Sequence, residues 1–293
     1  MKNLLYILSA ILIISFVSSC RDDEPDGKSI FDTDEPVYTE FDKWLLKNYV
    51  GPYNIEFKYR FEDVESDHDY DLVPAREDLS RKMAILVKHL WLEVYDEIAT
   101  PGFTRPYIPK VIHLVGSPAY RSNGQMVLGT AEGGLKVTLY DINRLDQRIN
   151  NPEALNYYYF HTMHHEFAHI FHQTKNYNPD FRQISSADYV GSDWSNKEYA
   201  DESLSLGFIS PYSRMNYDED FVEVYSYYVT YTQEWWDAQL VAAGTDGAAI
   251  ITRKLDIVKD YMLTVWGIDM DELREIILRR SEEAQNDLDF DIL

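Results

Sequence analysis

The segment His161-Thr162-Met163-His164-His165-Glu166-Phe167-Ala168-His169-Ile170-Phe171-His172 constrains this chain more than any other. Within it His165-Glu166-x-x-His169 places two imidazoles four residues apart. Residues so spaced share a face only in a helix, whose turn is 3.6 residues. Asn151-Pro152-Glu153 marks where that helix starts, with a capping side chain, a proline whose missing N–H is not needed there, and an acid in the first turn. The helix is predicted to run to about Lys175. Phe167, Ile170 and Phe171 give it an apolar side, so it packs against a core while His165 and His169 face a site.

Two imidazoles one turn apart can converge on a tetrahedral zinc at ~2.0–2.1 Å. Glu166 follows the first of them directly, so it leans toward a zinc-polarised water without ligating the metal and is the expected general base. His161, His164 and His172 are read as residues flanking the site or lying on the surface. Zinc is the expected cofactor.

A third protein ligand is needed. A glycine at 172 followed by a histidine at 175 would complete one known pattern, but His172 and Lys175 stand there. Gly244-Thr245-Asp246-Gly247 offers an aspartate but reads as a turn at the wrong spacing. The remaining option is a glutamate from a second helix, and Asn216-Tyr217-Asp218-Glu219-Asp220-Phe221-Val222-Glu223 supplies it. Glu219 and Glu223 are one turn apart. Glu219 is the expected ligand, and Glu223 is expected to accept a hydrogen bond from a ligand histidine and fix its tautomer. Two other readings stay open: Glu219 as the third residue of a capping box headed by Asn216, and Glu223 as the ligand.

Composition narrows the partners. The chain has 293 residues, 27 Lys+Arg against 50 Asp+Glu, and a net charge of −23. That balance excludes general nucleic-acid binding, which needs cations to displace counterions from phosphates. It also argues against anionic membranes and sulfated glycans. Hydrophobic residues at 45% exclude a wholly disordered chain. The single cysteine excludes an intrachain disulfide and a Cys-rich zinc site.

That cysteine is Cys20, at the end of MKNLLYILSAILIISFVSSC. Lys2 and the apolar run from Leu4 to Val17 suit a signal peptide, and the run is too short for the ~20 residues of a membrane span. Val17-Ser18-Ser19-Cys20 resembles a bacterial lipobox, whose cysteine is acylated. Residues 21–38 are acidic and poor in apolar residues, a flexible tether. Acidic residues directly after the lipid cysteine resemble the surface-export signal of Bacteroides-type lipoproteins. The expected location is therefore a lipid anchor in the outer membrane at the cell surface, with the periplasmic face as the other option, and 39–293 is the expected folded domain.

Further along, Phe41–Tyr49 reads as a short helix, Tyr53–Phe61 alternates as a strand, and Arg76–Ile98 is an amphipathic helix that Pro101-Gly102 ends. Strands are predicted at Val111–Val115, Gln125–Thr130 and Leu135–Tyr140. Residues 176–211 read as a long irregular connection, a helix follows Asn216 through Trp235, and two more are separated by Gly267-Ile268-Asp269. The expected fold is α+β: a small twisted sheet, the histidine helix and a helical C-terminal half.

Phe208-Ile209-Ser210-Pro211-Tyr212-Ser213-Arg214-Met215-Asn216, followed by Glu219-Asp220-Phe221-Val222-Glu223, resembles the end of the anthrax lethal factor catalytic domain, and His165-Glu166-Phe167-Ala168-His169 resembles its zinc motif. The resemblance implies a zincin-like fold of gluzincin type, with Glu219 on zinc and Tyr212 hydrogen-bonding the oxyanion. Asp220 departs from it, standing where that family has an aromatic residue. The chain as a whole is similar to zinc metallopeptidase lipoproteins encoded beside Bacteroides-type nutrient-import systems. This implies a peptide or protein substrate, including glycoproteins, and a SusC/SusD-like transporter as partner. In similar folds an edge strand beside the metal helix pairs with substrate, and Gln125–Thr130 is the candidate here. The alternative reading is a non-catalytic lipoprotein that binds glycan or peptide on a metalloprotease-like scaffold, to which 23 Tyr and 6 Trp would contribute stacking surfaces.

Overall fold

The computed structural model describes residues 37–291 apart from 63, 65, 66, 122, 123, 125 and 133. Cys20, the predicted signal segment and nearly all of the predicted tether lie outside the described residues. Residues from Glu40 onward form one compact unit. No helix among the described residues is long and apolar enough to cross a membrane.

A four-stranded mixed sheet carries the N-terminal half. Strands β1 (Glu56–Lys58), β2 (Val111–Leu114), β5 (Gly129–Glu132) and β6 (Lys136–Leu139) are ordered β1-β2-β6-β5. The first two contacts are parallel and the last antiparallel, so β5, the outermost strand on its side, runs against its neighbour β6. β2 and β6 bury Ile112, Leu114, Val137 and Leu139 completely, as expected of central strands with both faces covered. The predicted strand 53–61 survives only as β1, because Gly51–Tyr53 closes the preceding helix and Asn54 takes a left-handed turn (φ 56°). The predicted strand Gln125–Thr130 divides. Met126–Val127 (β4) pairs with Ala119–Tyr120 (β3) in a separate hairpin, and only the residues from Gly129 on join the sheet.

Helices α1 (Glu40–Leu45) and α2 (Glu77–Val87) are each prolonged by a wider turn, and α2 continues through Glu93–Ile98. Pro101-Gly102 begins a helix rather than only ending one. Thr100 caps α3 (Pro101–Tyr107) by accepting from the Phe103 N–H, and proline suits the first turn.

The histidine helix starts where predicted. The Asn151 side chain accepts from the Ala154 N–H, and the helix runs from Pro152–Leu155 through a wide turn at Asn156–Phe160 into α4 (His161–Thr174). Its apolar side meets the continuation of α2: Phe167 lies edge-on to Tyr95 (4.6 Å) and Trp91 (5.7 Å). Fully buried aromatic rings of this kind contribute roughly 1.5–3 kcal/mol each. They lock the rotation of α4 and so aim its histidines.

Strand β5 lies along α4. A Cβ on Gly129 would sit 2.8 Å from Thr162 Cγ2, and one on Gly134 3.1 Å from Ile170 Cγ1. Glycine at 129 thus lets the strand approach the helix, and the strand follows it from Thr162 toward Ile170.

In the C-terminal half α5 (Tyr217–Thr230) packs across α4. The predicted helix 216–235 breaks at Tyr231, because the Thr232 side chain caps a new helix by accepting from the Trp235 N–H. That helix, α6 (Gln233–Tyr261), is kinked at Gly244 (φ 71°), so Gly244–Gly247 is a bend within a helix rather than a free turn. Helix α7 (Met270–Asn286), capped by Asp269, closes the unit.

Candidate metal centre and its cavity

His165 and His169 project from α4 toward α5, and the Nε2 atom of each lies 3.2 Å from Glu219 Oε2. The candidate ligand atoms of these three residues all lie within 4.8 Å of one another. Asn216 caps α5 by accepting from the backbone N–H groups of Asp218 (2.8 Å) and Glu219 (3.0 Å). The Glu219 carboxylate turns to the imidazoles rather than back to the Asn216 N–H, so the capping box is only half formed. Asp246 belongs to neither group of metal-competent side chains among the described residues.

Glu223, one turn further along α5, sits behind the centre. Its Oε1 accepts from His165 Nδ1 at 2.7 Å and from His161 Nε2 at 3.3 Å, and its Oε2 accepts from the Ser210 hydroxyl. A carboxylate only accepts, so His165 keeps a proton on Nδ1, and Nε2, on the side of Glu219 and His169, is the nitrogen that would be free to ligate a metal. His172 supports the other imidazole, with its Nε2 2.9 Å from His169 Nδ1. His164 is different. It is buried on the core side, 2.8 Å from the Tyr95 hydroxyl, and lies neither at the surface nor at the site, because its position on the turn points it at α2.

Electrostatics follow from this packing. Burial opposes a charge on His165, but hydrogen bonds to Glu219 and Glu223 outweigh it and push the imidazole up to about 10. Burial likewise opposes ionisation of Glu219, and hydrogen bonds from His165 and His169 overcome it, bringing the carboxyl down to about 2. Glu223 is held well below the usual carboxylate range despite burial, by its bonds to His161 and His165. Glu166 moves the other way. Burial raises it, and the neighbouring Glu219 and Glu223 charges add to burial against the two histidines.

Tyr212 sits in a short turn (Tyr212–Arg214) anchored by Arg214, whose guanidinium donates to the carbonyls of Tyr199 (2.6 Å) and Asp188 (3.2 Å). Its ring packs edge-on against Trp194 (4.9 Å) and lies 5.9 Å from the His165 ring. Burial and the nearby carboxylates raise its phenol, which stays protonated as a donor. A cavity of about 230 Å³ opens at this point, lined by His165, Glu166 and Tyr212 at one end and by Tyr157, Tyr227 and Tyr231 at the other.

Residues beyond those expected shape the site. Ser210, Trp194 and the tyrosine walls are among them, while His161 and His172 flank the site as read from the sequence. A signal for part of this set is present in the sequence. Tyr157, His161, His165 and His169 recur every four residues, as do Glu219, Glu223, Tyr227 and Tyr231. The two stripes face each other with the helices antiparallel: Glu219 meets His169 and His165, Glu223 meets His165 and His161, and Tyr227 packs on His161 at 4.3 Å. Asp220 also finds a role. It is fully buried in an ion pair with Lys254 on α6 (2.7 Å), and Lys254 also donates to the Gly207 carbonyl at 2.8 Å. The pair fastens the segment leading to Tyr212 onto α5, and Tyr189 adds a hydrogen bond at 2.9 Å.

Two imidazoles and a carboxylate, with one tautomer set from behind by Glu223 and an ionisable glutamate at the cavity edge, are a donor set that fits zinc on an α+β scaffold. Residues 34–271 match the family described as "Putative zinc-binding metallo-peptidase", and the chain belongs to that family. It is similar to a solved structure described as a "putative zinc-binding metallo-peptidase from Bacteroides caccae", with 50% identity over 90% of this chain and 99% of that one, at a TM-score of 0.77. No curated protein matches the chain.

Proposed function

We propose that the protein is a zinc-dependent peptidase of the HExxH-plus-glutamate (gluzincin) type. His165, His169 and Glu219 would hold the ion, whose Lewis acidity polarises a substrate carbonyl and acidifies water. The observation that carries the reading is the place of Glu166. It borders the cavity beside the three convergent ligands, and burial weakens it as an acid, as a group that must take up and return a proton requires. Glu166 takes the proton of the attacking water and passes it to the leaving amine. Tyr212 donates its hydroxyl hydrogen to the oxygen on which charge develops, a contribution of roughly 2.7–4 kcal/mol where such donors have been removed. Glu223 keeps His165 in the ligating tautomer. Of the candidate strand Gln125–Thr130, Gly129 and Thr130 belong to β5, the outer strand of the described sheet, which lies beside α4, and there an extended peptide could add as a further strand.

The test is zinc content together with digestion of a peptide library by the full-length protein and by Glu166→Gln. Zinc in both and cleavage only by the wild type supports the reading. Stoichiometric zinc without cleavage by either would point to a binding protein on this scaffold.

We further propose that Cys20 carries a lipid that anchors the protein at the outer membrane, facing outward, where it serves a nutrient-import transporter. Loss of fatty-acid labelling in Cys20→Ala, and digestion of the protein by protease added to intact cells, would support this.

A further inference from the structure

Buried tyrosines elsewhere in the fold commit their hydroxyls: Tyr53 to Asp96, Tyr159 to Asp141, Tyr177 to Asp218, Tyr261 to the Lys175 carbonyl. The phenols of Tyr157, Tyr212, Tyr227 and Tyr231 all line the cavity beside the metal centre, and among the described residues none has a hydrogen-bond partner. Their rings are held by stacking rather than by hydrogen bonds. Tyr227 lies parallel to Trp235 (5.2 Å, 4°) with His161 4.3 Å from its ring, and Tyr231 stacks on Trp235 at 4.3 Å. With their faces covered, these rings offer the cavity their rims and hydroxyls.

The one carboxylate on the cavity wall beyond the metal end, Glu223, has both oxygens taken by His161, His165 and Ser210. It has little acceptor capacity left for a ligand. The same cavity is lined by Arg121, from the hairpin β3–β4. Arg121 forms no ion pair among the described residues, although the chain carries 50 acidic against 27 basic side chains, so acidic partners are plentiful. An uncommitted guanidinium and a set of uncommitted phenols make a surface rich in donors, and a zinc ion held by His165, His169 and Glu219 would add positive charge at one end.

We propose that this cavity is the subsite for an acidic side chain of the substrate, the Asp or Glu next to the bond to be cut, with Arg121 as counter-charge and the phenols of Tyr157, Tyr227 and Tyr231 as donors to the carboxylate. Guanidinium and hydroxyl donors to a carboxylate are charge-assisted, and such bonds are roughly twice as strong as neutral ones. This inference rests on the peptidase reading, and the experiment separates the two. A random peptide library is digested with the zinc-loaded full chain, and the residues flanking each cut are read by mass spectrometry. The expected result is at least ten-fold enrichment of Asp and Glu over Lys and Arg at one flanking position. Arg121→Gln should flatten that preference, Arg121→Glu should invert it toward Lys and Arg, and the double variant Tyr227→Phe, Tyr231→Phe should reduce it several-fold. Cleavage by the wild type without acidic enrichment, or with enrichment that Arg121→Glu leaves intact in a variant of unchanged circular dichroism, overturns the cavity assignment and leaves the peptidase standing. No cleavage by the zinc-loaded wild type overturns both.

Discussion

Glu223 Oε1 lies 2.7 Å from Nδ1 of His165 and accepts its proton from the side opposite the metal centre. Because the same oxygen also receives His161, one carboxylate ties two turns of α4 to α5. Glu223→Gln keeps the shape but can offer its amide nitrogen as a donor to a nitrogen that must itself donate. Zinc affinity should fall by roughly 10–100-fold, as for other residues that orient a metal-ligating histidine. Competition against a chromogenic chelator reads this directly, and an unchanged affinity would show that Glu223 does not set the tautomer.

Glu166→Gln separates chemistry from binding. The residue borders the cavity but belongs to neither group of metal-competent side chains, so zinc content should match the wild type. Turnover should drop by roughly 10²–10⁴-fold, the usual contribution of a positioned acid–base group. Equal rates would remove Glu166 from the proton path.

Tyr212→Phe removes one hydroxyl and keeps the packing against Trp194. We expect kcat to fall by roughly 10²–10³-fold with zinc content and melting temperature preserved. A change confined to KM would mean that the phenol binds substrate equally in the ground and transition states.

The buried Lys254–Asp220 pair predicts a thermodynamic pattern. Lys254→Met alone strands the Asp220 carboxylate in the core, and losing one partner of such a pair costs about 3–5 kcal/mol. The double replacement Lys254→Met, Asp220→Leu removes both charges and should recover most of that loss in a urea melt. If the single and double variants melt alike, the pair contributes packing rather than charge compensation.

Metal removal should reshape the stability profile with pH. In the metal-free protein His165 is raised to about 10, so its contribution is fully present below the ordinary histidine value of 6.5 and is lost as pH rises through 10. Glu219 is lowered to about 2, so its contribution is present above 4.5 and is lost as pH falls through 2. The metal-free protein should therefore be most stable between those limits and decline on both sides. Zinc takes the place of the shared proton, so the alkaline decline should be absent from the zinc-loaded protein. Melting temperatures of both forms from pH 3 to 10 check this.

The metal helix was readable because its signals were local: a cap at Asn151, a proline, and histidines one turn apart. The placement of Glu219 beside His165 and His169 was readable for a related reason, since its spacing from Glu223 and its position after Asn216 lie within a single helix start. What remained hidden depended on contacts between distant segments. Nothing near Asp220 in sequence announces Lys254, and nothing near Gly129 announces that Thr162 will press against it. The division of 125–130 between a hairpin and the sheet is likewise decided by which neighbour each half meets, Tyr120 or Leu139, and not by its own alternation. The break at Tyr231 turned on one side chain, because Thr232 caps a new helix and so outcompetes continuation of the old one.

The facing stripes on α4 and α5 have one further consequence. His161, His165 and Glu223 also bring ligand-type atoms within 4.8 Å of one another, which is the His165, His169, Glu219 arrangement displaced by one turn. The helix pair thus carries the same chemical lettering at two successive rungs, and composition alone does not tell them apart. What distinguishes them is surroundings: Ser210 occupies the spare oxygen of the inner glutamate, while the outer one keeps its carboxylate on two imidazole Nε2 atoms. A slip of a single turn between these helices would leave every residue type in place but part His165 and His169 from Glu219, so the anchors far from that cluster act as keepers of alignment.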